Sequence, residues 1–206
     1  MNNAERANAL LEELSSTHSP TEDDGMADAT SKSPRFLALQ ADASKKSSIE
    51  EMVRQVISVF GRLDVVASNS GWTRITNFND MDENADEDLW SKTYRCNVTA
   101  HFWLMHAVKP HLEATKGAFV TTASVAGVLP GGSSSLPYAI SKAAQIYLVK
   151  TLSRVCAPNI RVNSVSPALM LTDWGLQFSE KQQLAQAEAT SLKRLIEVDV
   201  RMSGMV

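Results

Sequence analysis

Apolar positions along the chain recur with two periods, and the alternation between them sets out the architecture. Ala7, Leu10, Leu11 and Leu14 fall on one stripe and predict a short amphipathic helix over Ala4–Leu14. From Ser15 to Pro34 apolar residues nearly vanish among Ser, Thr, Asp, Gly and Pro, the signature of a flexible loop. Arg35–Gln40 reads as a strand. Ile49, Met52, Val53, Val56, Ile57 and Phe60 then repeat at helical spacing up to Gly61, which ends the helix. Leu63–Ala67 is a short apolar run, buried on both faces if its sheet is parallel. Asn84–Leu112 predicts a long helix broken only at Pro110, and Ala118–Ala123 a strand. A Gly/Ser loop over Gly127–Pro137 leads into a helix over Tyr138–Cys156, and Ile160–Val165 reads as the last strand. Strands alternating with helices imply an α/β fold with a parallel sheet.

Length and composition add boundaries. The 206 residues suit a single domain over 1–206, with a hydrophobic content of 44% and a charged content of 21%, both ordinary for a globular protein. A net charge of −3 without a long basic run argues against nucleic-acid binding. No apolar run approaches the roughly 20 residues that span a bilayer. Cys96 and Cys156 form no CxxC pair; they imply a reducing compartment, with the cytoplasm as the expected location, and read as helix-packing residues. His101, His106 and His111 are spaced by five residues, about 140° apart on a helix, so they share no metal-binding face and are expected at the surface or an interface.

The chemistry is concentrated in four polar residues: Asn97, Ser124, Tyr138 and Lys142. Tyr138 and Lys142 stand four apart in Tyr-Ala-Ile-Ser-Lys, which puts phenol and ammonium on one face of a helix. A lysine charge there is expected to lower the tyrosine pKa, and a hydroxyl from Ser124 to hold a substrate oxygen beside the phenol. Ser124 follows a strand at its C-terminal end, where open α/β sheets place their sites.

Together these motifs resemble the short-chain dehydrogenase/reductase family, over about Arg35–Thr172. Ala41-Asp42-Ala43 resembles the strand-ending Asp that contacts adenine, although Asp42 could equally cap the helix beginning near Ser44. Ser68-Asn69-Ser70-Gly71 resembles the family's Asn-Asn-Ala-Gly, and Asn97 in Asn-Val-Thr the asparagine that holds a proton-relay water. Ser124, Tyr138 and Lys142 match the catalytic serine, tyrosine and lysine. Ser166–Thr172 resembles the Pro-Gly-x-Val-x-Thr loop that meets the nicotinamide, with Met170 and Thr172 at its contact positions. The resemblance implies an incomplete Rossmann-like parallel sheet and NADP or NAD as cofactor, held by Asp42, Asn69, Gly71, Tyr138, Lys142, Met170 and Thr172. It implies a small apolar carbonyl or alcohol substrate, for which Met170, Leu171 and Trp174 supply an apolar border. A homo-oligomer through helices 84–112 and 138–156 is also expected. Asn2, Asn3 and Arg6 hint at NADP.

Two departures qualify the resemblance. No G-x-G occurs in the 206 residues, so the Gly-rich turn that would hold a diphosphate is missing, which predicts weak cofactor affinity. The chain reads as a family core without its first two strands and its last. On that reading 35–40 pairs with 63–67, three helices cover one face of the sheet, and the other face carries a large apolar patch. A catalytically inactive relative, serving as an interaction subunit or a non-functional fragment, is the alternative that the same residues leave open.

Overall fold

The structure, a computed structural model, describes residues 3–17, 34–130 and 133–197. The expected loop at 15–34 lies for the most part outside these residues, but Ser15–Thr17 belong to the first helix. Helix α1 (Asn3–Thr17) is followed by α2 (Lys46–Phe60), strand β1 (Val65–Ser68), α3 (Glu87–Tyr94), α4 (Ala100–Thr115), β2 (Ala118–Thr122), α5 (Leu136–Val155), β3 (Arg161–Val165) and α6 (Glu180–Ala189). The three strands pair in parallel in the order β1-β2-β3, an α/β arrangement in which every connection carries a helix.

Helix boundaries follow from local chemistry. Gly61 ends α2 with a left-handed backbone (φ 71°), and its N–H reaches the carbonyl of Ile57. Asp86 caps α3 by accepting from the N–H groups of Asp88 and Leu89. Ser135 caps α5 ahead of Leu136 and Pro137, so this helix begins two residues before Tyr138. Helix α6 opens on a Ser179/Gln182 capping box, a signal carried by the sequence but absent from the expectations above.

Helices α4 and α5 lie on one face of the sheet and α2 packs on α4. Between them sits the core, with Val53, Met105, Val108, Leu112, Phe119, Val149, Leu152 and Val162 all buried. Cys156 is buried in this cluster and Cys96 is half-buried, in keeping with packing roles; burial pushes both thiols upward, away from the reactive thiolate.

Three expectations need correction. The segment 35–40 is not a strand: it pairs with no described strand, and extended backbone becomes sheet only through a laddered neighbour. The long helix is not broken at Pro110, which lies inside a continuous α4; the irregularity is a π-turn at Arg95–Thr99, between α3 and α4. Pro110 costs one backbone hydrogen bond, which tertiary packing overrides. His101 is not at the surface. It is fully buried, bonded to Ser68 and Gln145, whereas His106 is exposed.

Candidate active site

The strands end at a cavity of about 590 Å³. Its polar end is formed by Ser124, just past β2, and by Tyr138 and Lys142 on α5. Ser124 caps a 3-10 turn (Val125–Gly127), its Oγ accepting from the N–H of Ala126 at 3.2 Å. The backbone on either side is tied to the segment after β3, with Ala123 N donating to Val165 O at 2.7 Å and Val125 N to Pro167 O at 3.1 Å. The Ser124 hydroxyl lies beside the phenol of Tyr138, near enough to influence its protonation. A hydroxyl pair and a cation thus line one end of the same cavity.

The electrostatics differ from the expected scheme. Burial pushes the Tyr138 phenol above its usual value, with the neighbouring Ser124 hydroxyl pulling partly the other way. The expected lowering by Lys142 is not realised. Nζ of Lys142 sits 5.7 Å from the Tyr138 ring centroid and donates to the Thr122 carbonyl at 2.8 Å and to Gln145 Oε1 at 2.9 Å. Burial brings Lys142 itself down to about 8. One of its three N–H bonds remains for the cavity.

Asn97 lies in the π-turn and is fully buried behind this wall rather than on it. Its Oδ1 accepts from Trp72 N at 2.7 Å, and its Nδ2 donates to Trp72 O at 2.9 Å and to Ser141 Oγ at 3.0 Å. Both amide donors are thus engaged inside the protein. The side chain thereby fixes the 71–73 segment against α5. A π-turn at this point is in keeping with the habit of such turns to occur at functional sites.

Of the expected cofactor-binding residues, Asn69, Gly71, Tyr138, Lys142, Met170 and Thr172 line the one cavity. A Cβ at Gly71 would stand 3.7 Å from Lys142 Nζ, so the bare backbone there leaves the ammonium accessible. Asp42 does not line it. Its carboxylate accepts from Ser44 N and Oγ and pairs with Lys45, closing the turn ahead of α2; the helix itself is entered through Lys45 with no side-chain cap, so the expected capping by Asp42 is not realised either. Those bonds hold its pKa below the usual carboxylate value. Arg6 pairs with Asp173 at 3.1 Å; Asn2 and the Asn3 side chain lie outside the described residues.

Most of the remaining wall is apolar, with Thr73, Ser133, Ser134 and Gln186 as uncharged polar members. Trp72, Leu129, Leu169, Met170, Trp174 and Phe178 contribute to it, and Lys142 is its one charged residue among the described ones. Trp72, Leu129 and Phe178 were not expected here, because their approach depends on loops whose course the sequence pattern does not specify. No group of His, Cys, Asp and Glu among the described residues is arranged to hold a metal ion. None of the described helices is long and apolar enough to cross a membrane.

Comparison with known proteins agrees with this architecture. The family model for short chain dehydrogenases matches residues 12–183, and the chain belongs to that family. It is 32% identical over 164 residues to an NAD-dependent glycerol dehydrogenase of Listeria innocua, covering 79% of this chain and 61% of that one. It is 31% identical over 137 residues to a cis-1,2-dihydrobenzene-1,2-diol dehydrogenase of Pseudomonas putida, covering 66% and 50%. The chain therefore spans between half and two thirds of the length of these curated relatives. Among solved structures, a short-chain dehydrogenase/reductase from Burkholderia xenovorans superposes with a TM-score of 0.69 at 28% identity, over 78% of this chain and 64% of that one. A 7α-hydroxysteroid dehydrogenase complexed with NADH and a 7-oxo bile acid conjugate gives 0.75 at 22% identity, over 95% and 69%, a likeness of fold.

Proposed function

We propose that this chain carries the catalytic core of an NAD(P)(H)-dependent oxidoreductase that interconverts an alcohol and a ketone. The observation behind the reading is that the Ser124 hydroxyl, the Tyr138 phenol and the Lys142 ammonium line one cavity, whose wall is otherwise uncharged among the described residues and mostly apolar. The residues present suit the nicotinamide half of a dinucleotide: Asn69, Gly71, Met170 and Thr172 line the same cavity as Lys142, whose remaining N–H would meet a ribose hydroxyl. When bound, a nicotinamide nucleotide supplies or accepts the hydride.

In the reductive direction Ser124 donates a hydrogen bond to the substrate carbonyl oxygen and Tyr138 gives that oxygen a proton. The resulting phenolate is stabilised by Ser124 and by the positive charge of Lys142. Burial keeps the Tyr138 phenol protonated at neutral pH, which suits donation; oxidation needs the phenolate and is favoured at higher pH. Asn97 acts at one remove, by holding the Trp72 segment and Ser141. The mostly apolar wall favours a small carbonyl compound or alcohol. Exposed Phe102 on α4 and Ile140 and Tyr147 on α5 support association of two copies through these helices.

The test is Tyr138→Phe. Turnover of a hydrophobic ketone with NADH or NADPH should fall by about a hundredfold or more, with nucleotide binding, followed by fluorescence, largely retained. Unchanged turnover would sink the proton-donor assignment.

A further inference from the structure

Behind the cavity a line of buried polar side chains runs from the first strand to Lys142. Ser68 closes β1, His101 sits in the first turn of α4, and Gln145 lies three residues beyond Lys142 on α5; all three are buried. Ser68 Oγ is 2.6 Å from His101 Nδ1, His101 Nε2 is 3.0 Å from Gln145 Nε2, and Gln145 Oε1 is 2.9 Å from Lys142 Nζ.

The donors and acceptors along this line can be assigned. An amide nitrogen only donates, so His101 Nε2 accepts, and the ring is neutral with its proton on Nδ1, directed at Ser68 Oγ. Gln145 Nε2 also donates to the Thr122 carbonyl at 3.3 Å. Both partners of the amide nitrogen are therefore acceptors, which leaves the amide oxygen facing Lys142. A reversed amide would set oxygen against the Thr122 carbonyl and N–H against the ammonium. The titratable groups facing the line are Lys142 and, beside it, Tyr138. Burial with the Lys142 charge holds His101 down to about 4, so the imidazole remains an acceptor at neutral pH.

We propose that Gln145 and His101 are positioning residues for Lys142, fixing the direction of its ammonium and stabilising its charged form through the Gln145 oxygen. His101 acts through Gln145, because its acceptor nitrogen keeps the amide turned the right way. The consequence for rate rests on the role given to Lys142 above; the consequence for its protonation does not.

The experiment is a titration of the whole chain labelled with 13C at lysine Cε, with the Lys142 resonance identified by its loss in Lys142→Arg. Gln145→Leu should lower the Lys142 midpoint by roughly one pH unit, the scale of a lost hydrogen bond to a charged group. Gln145→Glu should raise it by at least as much. His101→Leu should lower it by less, since the Thr122 carbonyl still holds the amide. Opposite signs for the two Gln145 variants are what a packing role cannot produce, because both loosen the core in the same sense. Shifts of one sign, or none in variants that retain wild-type circular dichroism, overturn the proposal. Should Gln145→Leu fail to fold, Gln145→Glu and His101→Leu decide it. The alkaline limb of kcat/KM should follow the midpoint; a moved midpoint with an unmoved limb sustains the positioning role and removes Lys142 from the catalytic reading.

Discussion

A neutral imidazole packed between Ser68 and Gln145 ties the stability of the protein to pH. His101 binds its proton near 4 when folded and near 6.5 when unfolded. Between those values the unfolded chain holds the extra proton, so stability is full above about 6.5 and is lost as pH falls toward 4. The span corresponds to about 3 kcal/mol. Urea unfolding at pH 7 and pH 4.5 should show a smaller acid loss in His101→Leu than in the unsubstituted chain; equal losses would mean that His101 is not buried neutral. Lys142 works in another window. Its folded value of about 8 lies below the usual 10.5, so its burial costs stability at neutral pH and the cost fades as pH rises from about 8 to 10.5. For activity the sign is reversed: the ammonium is present below about 8, so ketone reduction should decline as pH rises through that value, read from the pH profile of kcat/KM. A profile flat to pH 10 would exclude Lys142 as the titrating group.

At the scale of elements, the site depends on how closely the 3-10 turn after Ser124 meets α5. A Cβ at Gly127 would lie 2.6 Å from the backbone carbon of Lys142 and 2.7 Å from Ala143 N, with no flexible side chain to give way. Gly127→Ala should therefore push the turn off the helix, separate Ser124 from Tyr138 and cost about 1–3 kcal/mol. Thermal unfolding and turnover measured together should both fall, and a fully active Gly127→Ala would show that the contact does not set the site. The π-turn at Arg95–Thr99 has a comparable task, since it carries the Asn97 amide that holds Trp72 and Ser141. Helical spacing alone gave no sign of it: five residues of wider turn leave the apolar pattern on either side nearly unchanged.

For the molecule as a whole, α4 and α5 cover one side of the sheet, and no described element packs to a comparable extent on the other. β1 stands at the edge with Val65 61% exposed and Ala67 exposed. That arrangement fits the expected apolar face, and exposed edges of this kind favour association. The folded chain should bind the apolar dye ANS, and Val65→Lys with Ala67→Lys should reduce that fluorescence without altering the far-UV circular dichroism. Undiminished dye binding would place the apolar surface elsewhere, for example at Phe102, Ile140 and Tyr147.

Local spacing in the sequence determined the alternation of β1, α4, β2, α5 and β3, the glycine stop of α2, the placement of Ser124 beyond a strand, and the shared helix face of Tyr138 and Lys142. These depend on neighbours a few residues apart, whose relative direction a helix or strand fixes by itself. The tertiary structure alone decided that 35–40 finds no partner strand among the described residues, that His101 turns inward, and that Lys142 is engaged by Thr122 and Gln145 instead of lowering the Tyr138 pKa. Each of these outcomes depends on strand pairing or on side chains that meet across elements, as His101 meets Ser68 and Gln145 at separations of 33 and 44 residues. Burial and hydrogen-bond partnership at such range are properties of the packed molecule, and they set which groups carry charge at the site.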